Sequence, residues 1–295
     1  MKDPQSPSQR VLIAGCGYLG QATANLFSST GWQVEGWTKS AVSAKEISNK
    51  PYSIRALDIS NGDAVAGSTK DFDVVIHCAS TRGGGVDLYR QVYLNGARHL
   101  LERFAKSTIL FVGSTSVYAQ AGGEWVTEDS AAEPKHERGK ILRATEQLVL
   151  DRGGIVTRLA GIYGPARSYL LQRFLSGEAM IDSQTDRFVN QVHRDDAAAA
   201  LFLLVNQAQS VAGQIFNVVD DQPILQSDCY RWLAARLNRS VPPIGESASE
   251  SKRGRSNKRV SNAKLRSLGW APRCPSFAEG MEKSILSSLR PRAGV

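Results

Sequence analysis

The chain has 295 residues, of which 42% are hydrophobic and 22% charged. That balance excludes wholesale disorder and fits one large α/β domain or a domain with an appended lobe. A net charge of +8 suits phosphate-bearing small molecules as well as nucleic acid, and basic residues gather late, at Lys252, Arg253, Arg255, Lys258 and Arg259. Cys16, Cys78, Cys229 and Cys274 form no C-x-x-C pair, and His77, His99, His136 and His193 show no zinc spacing. Neither a disulfide framework nor a metal centre is expected. Residues 1–10 are polar and contain Pro4 and Pro7, which leaves no apolar core for a signal peptide. The longest apolar run, Ala197–Val205, is too short to cross a bilayer, so the expected setting is the cytoplasm, away from membranes.

In chain order, Val11-Leu-Ile-Ala14 reads as a short buried strand. A Gly-x-Gly-x-x-Gly turn with Gly15, Gly17 and Gly20 follows, then a helix from Gln21 to Ser29, stopped by Gly31. A strand that bends on glycine into a helix N-terminus makes a phosphate site. Gly15 permits the turn, Gly17 removes a Cβ that would collide with a pyrophosphate, and Gly20 lets helix and strand pack closely. With Tyr18 and Leu19 between them, these residues are read as a dinucleotide site in preference to a structural bend. Gln33–Trp37 is a second strand. Where an acidic residue would hold the ribose hydroxyls, the chain has Thr38-Lys39-Ser40. A carboxylate would repel a 2′-phosphate that a cation and hydroxyls would accept. NADP(H) is therefore expected over NAD(H), with a solvated loop lysine as the bland alternative for Lys39.

Ser53–Ile59 is a third strand whose Asp58 and Ile59 could meet the adenine, although Asp58 could equally cap the next turn. Phe72–Ala79 is a continuous apolar strand, as expected where helices cover both sheet faces. It leads to Ala79, Ser80, Thr81 and Arg82 at a strand's carboxyl end, where ligands lie in open parallel sheets. His77, inside that strand, reads as a core histidine. Asp87–Lys106 reads as one long helix. Thr108–Val112 is a fifth strand, followed by Gly113-Ser114-Thr-Ser-Val-Tyr118. That hydroxyl cluster is either a site or a serine turn capping a neighbour. In Glu133-Pro134-Lys-His136-Glu-Arg-Gly-Lys140, proline suits a first helical turn, and His136 and Lys140 are spaced to share one helix face.

Gly154–Leu159 is another buried strand, and Ala160, Gly161 and Ile162 open the Gly/Pro turn after it. Asn190 and His193 precede Asp195 and Asp196, which are read as caps of the helix over 197–205. Gln214–Val219 is a strand and Ser227–Leu237 a helix. Glu246–Lys258 is expected to be a mobile, charged loop, Arg259–Trp270 a helix stopped by glycine, and Phe277–Leu289 the last helix. No aromatic interleaving and no groove-reading helix accompany the basic residues, so nucleic acid is not the expected partner. Alternating strands and helices predict an α/β fold, a doubly wound parallel sheet of Rossmann type with a smaller C-terminal substrate lobe. The Rossmann part is placed at 8–165, its sheet completed by later strands, and 166–295 is read as mainly the lobe, interleaved with that sheet.

Several segments fall in an order that resembles the extended short-chain dehydrogenase/reductases, the NAD-dependent epimerase/dehydratase family. The likeness is to a divergent bacterial branch with a G-C-G-Y/W-L/V-G turn. The segments are Gly15–Gly20, Leu57-Asp58-Ile59, Val75–Ser80, Asn95 in Tyr93–Arg98, Ser114–Tyr118, Arg158–Pro165, Asn190–Asp196 and Phe216–Asp221. The resemblance implies hydride transfer to or from nicotinamide on a small polar substrate, often a nucleotide-linked sugar, and frequent pairing of two copies through long helices. It brings Ala160, Gly161 and Ile162 beside the nicotinamide, and it puts Asn190 and His193 toward substrate; Arg82 and Tyr118 are substrate candidates from their own positions after strand ends. Members use a Ser/Thr, a Tyr and a Lys four residues after that Tyr. Ser114 falls on the hydroxyl position and Lys140 on the lysine position, where it would orient the cofactor ribose. The tyrosine position holds His136. Histidine titrates near neutrality and could move the same proton. The alternatives are a degenerate site in a cofactor-binding regulatory protein, or a solvated helix histidine. Tyr118 is a conceivable stand-in donor.

Overall fold

The computed structural model describes residues 9–81, 83–184, 186–245 and 256–287. Seven strands form one sheet: β1 Arg10–Ala14, β2 Gln33–Thr38, β3 Ser53–Ala56, β4 Val74–His77, β5 Thr108–Ser114, β6 Ile155–Leu159 and β7 Ile215–Val218. Their order is β7-β6-β5-β4-β1-β2-β3, and β1 pairs in parallel with both β2 and β4. This is the doubly wound α/β arrangement that alternating elements predict. The inner strands are apolar on both faces because helices cover both. Leu12, Ile13, Val75, Ile76, Leu110 and Phe111 are fully buried.

The chain divides into two compact units. Unit 1 takes 1–117, 133–158 and 198–216; unit 2 takes 118–132, 159–197 and 217–295. In unit 1 the helix Tyr18–Ser29 ends at Thr30, and Gly31 follows at φ +87°. Phe27 of that helix meets Trp32 and Phe202 edge-on at 5.1 and 5.0 Å. The segment read as one helix over Asp87–Lys106 has three parts. An α-helix spans Val86–Arg90, a π-helical turn Gln91–Asn95 and a second α-helix Gly96–Arg103. Gly96 lies so close to Ile59 that a Cβ there would sit 2.9 Å from its Cδ1. Packing sets the register on that side of the helix, which periodicity alone does not reveal.

Unit 2 is built from two-stranded pairs and short helices. Gly161–Tyr163 pairs with Gln191–His193, Phe188–Val189 with Ile224–Leu225, and Ile181–Asp182 with Ile244–Gly245. Its core gathers Tyr163, Phe174, Tyr230, Leu233, Phe277 and Met281. Two expectations are corrected here. Arg259–Trp270 is not one helix: Arg259–Val260 is a strand paired with Trp125–Val126, and the helix covers only Ala263–Ser267. Asn262 holds the intervening chain by donating to the Val219 carbonyl at 2.9 Å and to Asp221 Oδ1 at 2.8 Å. Lys258, grouped with a solvated loop, is 6% exposed. The rest of that basic cluster up to Arg255, like Leu289, lies outside the described residues. Among the described residues no helix is long and apolar enough to cross a membrane.

Candidate functional site

In unit 1 the turn after β1 is shaped by contacts that only glycine satisfies. Gly15 has φ +104°, and a Cβ on it would lie 2.2 Å from the Ala79 nitrogen. A Cβ on Gly20 would lie 2.3 Å from the Gly15 carbonyl oxygen. The turn is tied to β2 by the Gly15 and Cys16 N–H groups, which donate to the Trp37 carbonyl at 3.1 and 2.8 Å. Gly17 is the N-cap of the twelve-residue helix Tyr18–Ser29, which has no side-chain cap and no acidic residue in its first turn. A helix N-terminus without a carboxylate over it attracts a diphosphate. These residues fit the pyrophosphate of a dinucleotide.

At the end of β2, Thr38 is buried and donates to the Ser40 carbonyl at 3.2 Å, while Ser40 caps the helix Ala41–Glu46 through the Ser43 N–H. Lys39 Nζ stands 3.4 Å from Asp58 Oδ2, with the lysine side chain 67% exposed. Asp58 also accepts from the Ser60 N–H and hydroxyl at 3.0 and 2.7 Å. Burial alone would raise its carboxyl, but the Ser60 bonds and Lys39 hold it below its ordinary range. Lys39 and Asp58, assigned separately from the sequence, are thus an ion pair. Exposed pairs of this kind contribute ~0–1 kcal/mol, so Lys39 is only lightly held. Ile59 is buried, Ala79 half-buried and Ser80 exposed; Arg82 lies outside the described residues.

Ser114 ends β5 and its Oγ accepts from the Ser116 N–H at 3.1 Å. The helix Glu137–Leu150 packs against β5 and the turn after it. His136 is the N-cap of this helix and lies just outside it, with Nδ1 accepting the Gly139 N–H at 2.9 Å. Lys140 is exposed and pairs with Glu137 at 2.7 Å. His77 is buried, its Nε2 is 3.4 Å from the Tyr93 carbonyl, and burial pushes its pKa down to about 4; a core role fits it. Sequence reading missed Glu146, fully buried, which receives Arg158 Nε at 3.1 Å and a second guanidinium nitrogen at 2.8 Å. Arg143 also pairs with it. A lone arginine inside the apolar strand Ile-Val-Thr-Arg-Leu was the available signal.

In unit 2 the candidate residues are occupied by the protein. Tyr118 is buried, its hydroxyl donates to Asn217 Oδ1 at 2.9 Å, and its carbonyl accepts Lys258 Nζ at 3.1 Å. Burial pushes the pKa of Lys258 down to about 8. Asn190 donates to the Lys258 carbonyl at 2.9 Å and accepts from the Val260 N–H at 2.8 Å. His193 Nε2 meets Ser284 Oγ at 2.8 Å, Nδ1 accepts the Asp195 N–H at 3.2 Å, and burial lowers the ring's pKa. Ala160 donates its N–H to the Val218 carbonyl, and Gly161 and Ile162 form the first two positions of a strand. Asp196 accepts from the Arg273 and Cys274 N–H groups, both at 2.9 Å, and so clamps that loop. Donor atoms of His193, Asp196 and Cys274 lie within 4.8 Å of one another. Burial pushes the Cys274 thiol up to about 11, so this trio is read as the clamp itself.

Comparison with known proteins adds four findings. Protein YeeZ of Escherichia coli K12 is 30% identical over 257 residues, covering 83% of this chain and 89% of that protein. A Methylobacillus flagellatus structure, named as a candidate NAD-dependent epimerase/dehydratase, superposes with a TM-score of 0.76 at 26% identity, covering 97% of this chain and 100% of the other. A Bacillus anthracis dTDP-glucose 4,6-dehydratase, solved in complex with NAD, shares the fold with a TM-score of 0.78 at 15% identity, covering 95% and 96% of the two chains. The family model described as the NAD dependent epimerase/dehydratase family matches residues 11–218, from the first residue after Arg10 to the end of β7, and the chain belongs to that family.

Proposed function

We propose that this protein is an NADP(H)-dependent oxidoreductase or epimerase that transfers hydride on a small polar substrate, of the nucleotide-linked sugar class. The observation that carries the reading is the turn at Gly15–Gly20, where a Cβ on Gly15 or on Gly20 would lie 2.2 or 2.3 Å from a backbone atom. A bound nicotinamide would supply or accept the hydride. The chain's own residues do the rest. The Gly15–Gly20 turn, with Tyr18 and Leu19, holds the diphosphate. Thr38, Lys39 and Ser40 flank the 2′ position, and Asp58 and Ile59 flank the adenine. Ala79 and Ser80 border the nicotinamide riboside. Ser114 and His136 hold the substrate oxygen, and Lys140 leaves Glu137 to orient the ribose.

Titration calorimetry with NADP(H) and NAD(H) tests this directly. Tighter binding of NADP(H) is expected; equal affinities remove the 2′-phosphate assignment, and absence of heat with either removes the reading. A second reading, a cofactor-binding regulatory protein without turnover, draws support from the exposed Lys140–Glu137 pair and from histidine at the tyrosine position. It predicts dinucleotide binding with no change in nicotinamide absorbance on adding carbonyl or nucleotide-sugar substrates.

A further inference from the structure

The imidazole of His136 is engaged by the first turn of the helix it precedes. Nδ1 accepts the Gly139 N–H at 2.9 Å. A ring nitrogen that accepts must be unprotonated, so the ring is neutral and its proton sits on Nε2. The position is locked sterically as well. Gly139 is buried, and a Cβ on it would lie 2.4 Å from Pro134 Cβ and 2.8 Å from His136 Cε1. Glycine is therefore required where the imidazole packs on the first turn of the fourteen-residue helix Glu137–Leu150. Proline at 134 and glycine at 139 together fix the edge of the ring that the helix uses. The other edge carries Nε2–H on a residue that is exposed overall.

This arrangement limits the chemistry. To abstract a proton, the ring would need a free nitrogen lone pair. Nε2 is already protonated, and Nδ1 is committed to the helix. A protonated ring would lose its side-chain bond to Gly139, whose N–H would keep only the His136 carbonyl, 3.0 Å away. What the ring can do without disturbing the helix is donate from Nε2.

We propose that His136 is a fixed neutral Nε2–H donor which holds and polarises a substrate carbonyl oxygen, and that the reaction this site suits is carbonyl reduction in place of proton abstraction. The inference rests on the dinucleotide reading above. Hydride adds to the carbonyl carbon, and the C=O π pair moves onto oxygen. Nε2–H and the Ser114 hydroxyl stabilise that oxygen, and it takes its proton from water. The substrate gains two electrons, which the reduced dinucleotide loses.

The test separates the cap from the donor. Aspartate is among the best N-caps, so His136→Asp keeps the acceptor for Gly139 and deletes the donor. His136→Asn keeps an acceptor and a shorter donor. Three measurements are made on full-length protein: 15N NMR of labelled histidine, thermal melting, and NADPH oxidation with 9,10-phenanthrenequinone and a set of keto nucleotide sugars. The proposal expects an Nε2–H tautomer in the free protein and melting of His136→Asp at or above wild type. It also expects unchanged NADPH affinity and a fall in kcat of about 100-fold, the usual effect of deleting one oxyanion donor, with His136→Asn in between. An Nδ1–H tautomer, wild-type turnover in His136→Asp, or no wild-type turnover while NADPH binds would each overturn it. Failure of NADPH to bind wild-type protein would remove the functional reading itself, and this inference with it.

Discussion

The glycine turn of unit 1 and the Asn190–His193 segment of unit 2 both read from the sequence as ligand-facing, yet the protein treats them in opposite ways. Around Gly15–Gly20 the side chains are removed, and the helix N-terminus keeps no cap and no carboxylate. Around Asn190 and His193 each side-chain donor and acceptor meets another part of unit 2: the backbone of Lys258 and Val260, the Ser284 hydroxyl, and the Asp195 N–H. The glycine turn leads into a helix N-terminus with no side-chain cap, whereas the Asn190–His193 segment uses its polar groups internally. By that criterion, Asn190, His193 and Tyr118 hold the fold of unit 2.

The largest expected effect tests the first half of this contrast. Gly15→Ala puts a Cβ 2.2 Å from the Ala79 nitrogen at a φ of +104°. It should destabilise by about 4–5 kcal/mol and abolish dinucleotide binding, read by denaturant unfolding and calorimetry. Arg158→Met should come next. It leaves Glu146 buried with only Arg143, at about 3–4 kcal/mol, and Glu146→Leu in the same chain should recover much of that loss.

Lys258 gives a pH test of unit 2. Its native pKa is about 8 against an ordinary 10.5. Between those values the unfolded chain keeps a proton that the native protein has released, so stability rises with pH across that window. The rise should approach ~3 kcal/mol and vanish in Lys258→Met. Asn190→Ala removes two hydrogen bonds to backbone and should lower stability by about 2 kcal/mol while dinucleotide affinity stays at wild type. A large loss of affinity with stability intact would break the contrast. Lys39→Ala is the smallest: stability should change by less than ~0.5 kcal/mol, and NADP(H) affinity should fall about tenfold relative to NAD(H).

What was legible in the sequence was local. The strand Val11–Ala14, the glycine spacing after it and the apolar run of β4 each announce themselves within a few residues, because burial on two faces and backbone closeness leave few choices of side chain. The ion pair of Lys39 with Asp58 and the Asn190 clamp were not legible, because their partners lie far along the chain; Val260 is 70 residues from Asn190. His136 was legible as a departure from the family's tyrosine but not as an N-cap. A histidine before Glu137 gives no periodic signal, and its role follows from Gly139 and Pro134 packing around it. The π-helical turn at Gln91–Asn95 escaped because one five-residue turn is too short to establish a period of its own.

The way the two units share the chain has a consequence for biosynthesis. Unit 1 draws on residues up to 216 and unit 2 begins at 118. On the ribosome, therefore, the first unit waits for β7 while most of the second unit's earlier segments have already emerged. Neither half can be secured before the other is under way, and splitting the gene at a point between residues 118 and 216 should give two insoluble pieces that recover a fold only when produced together.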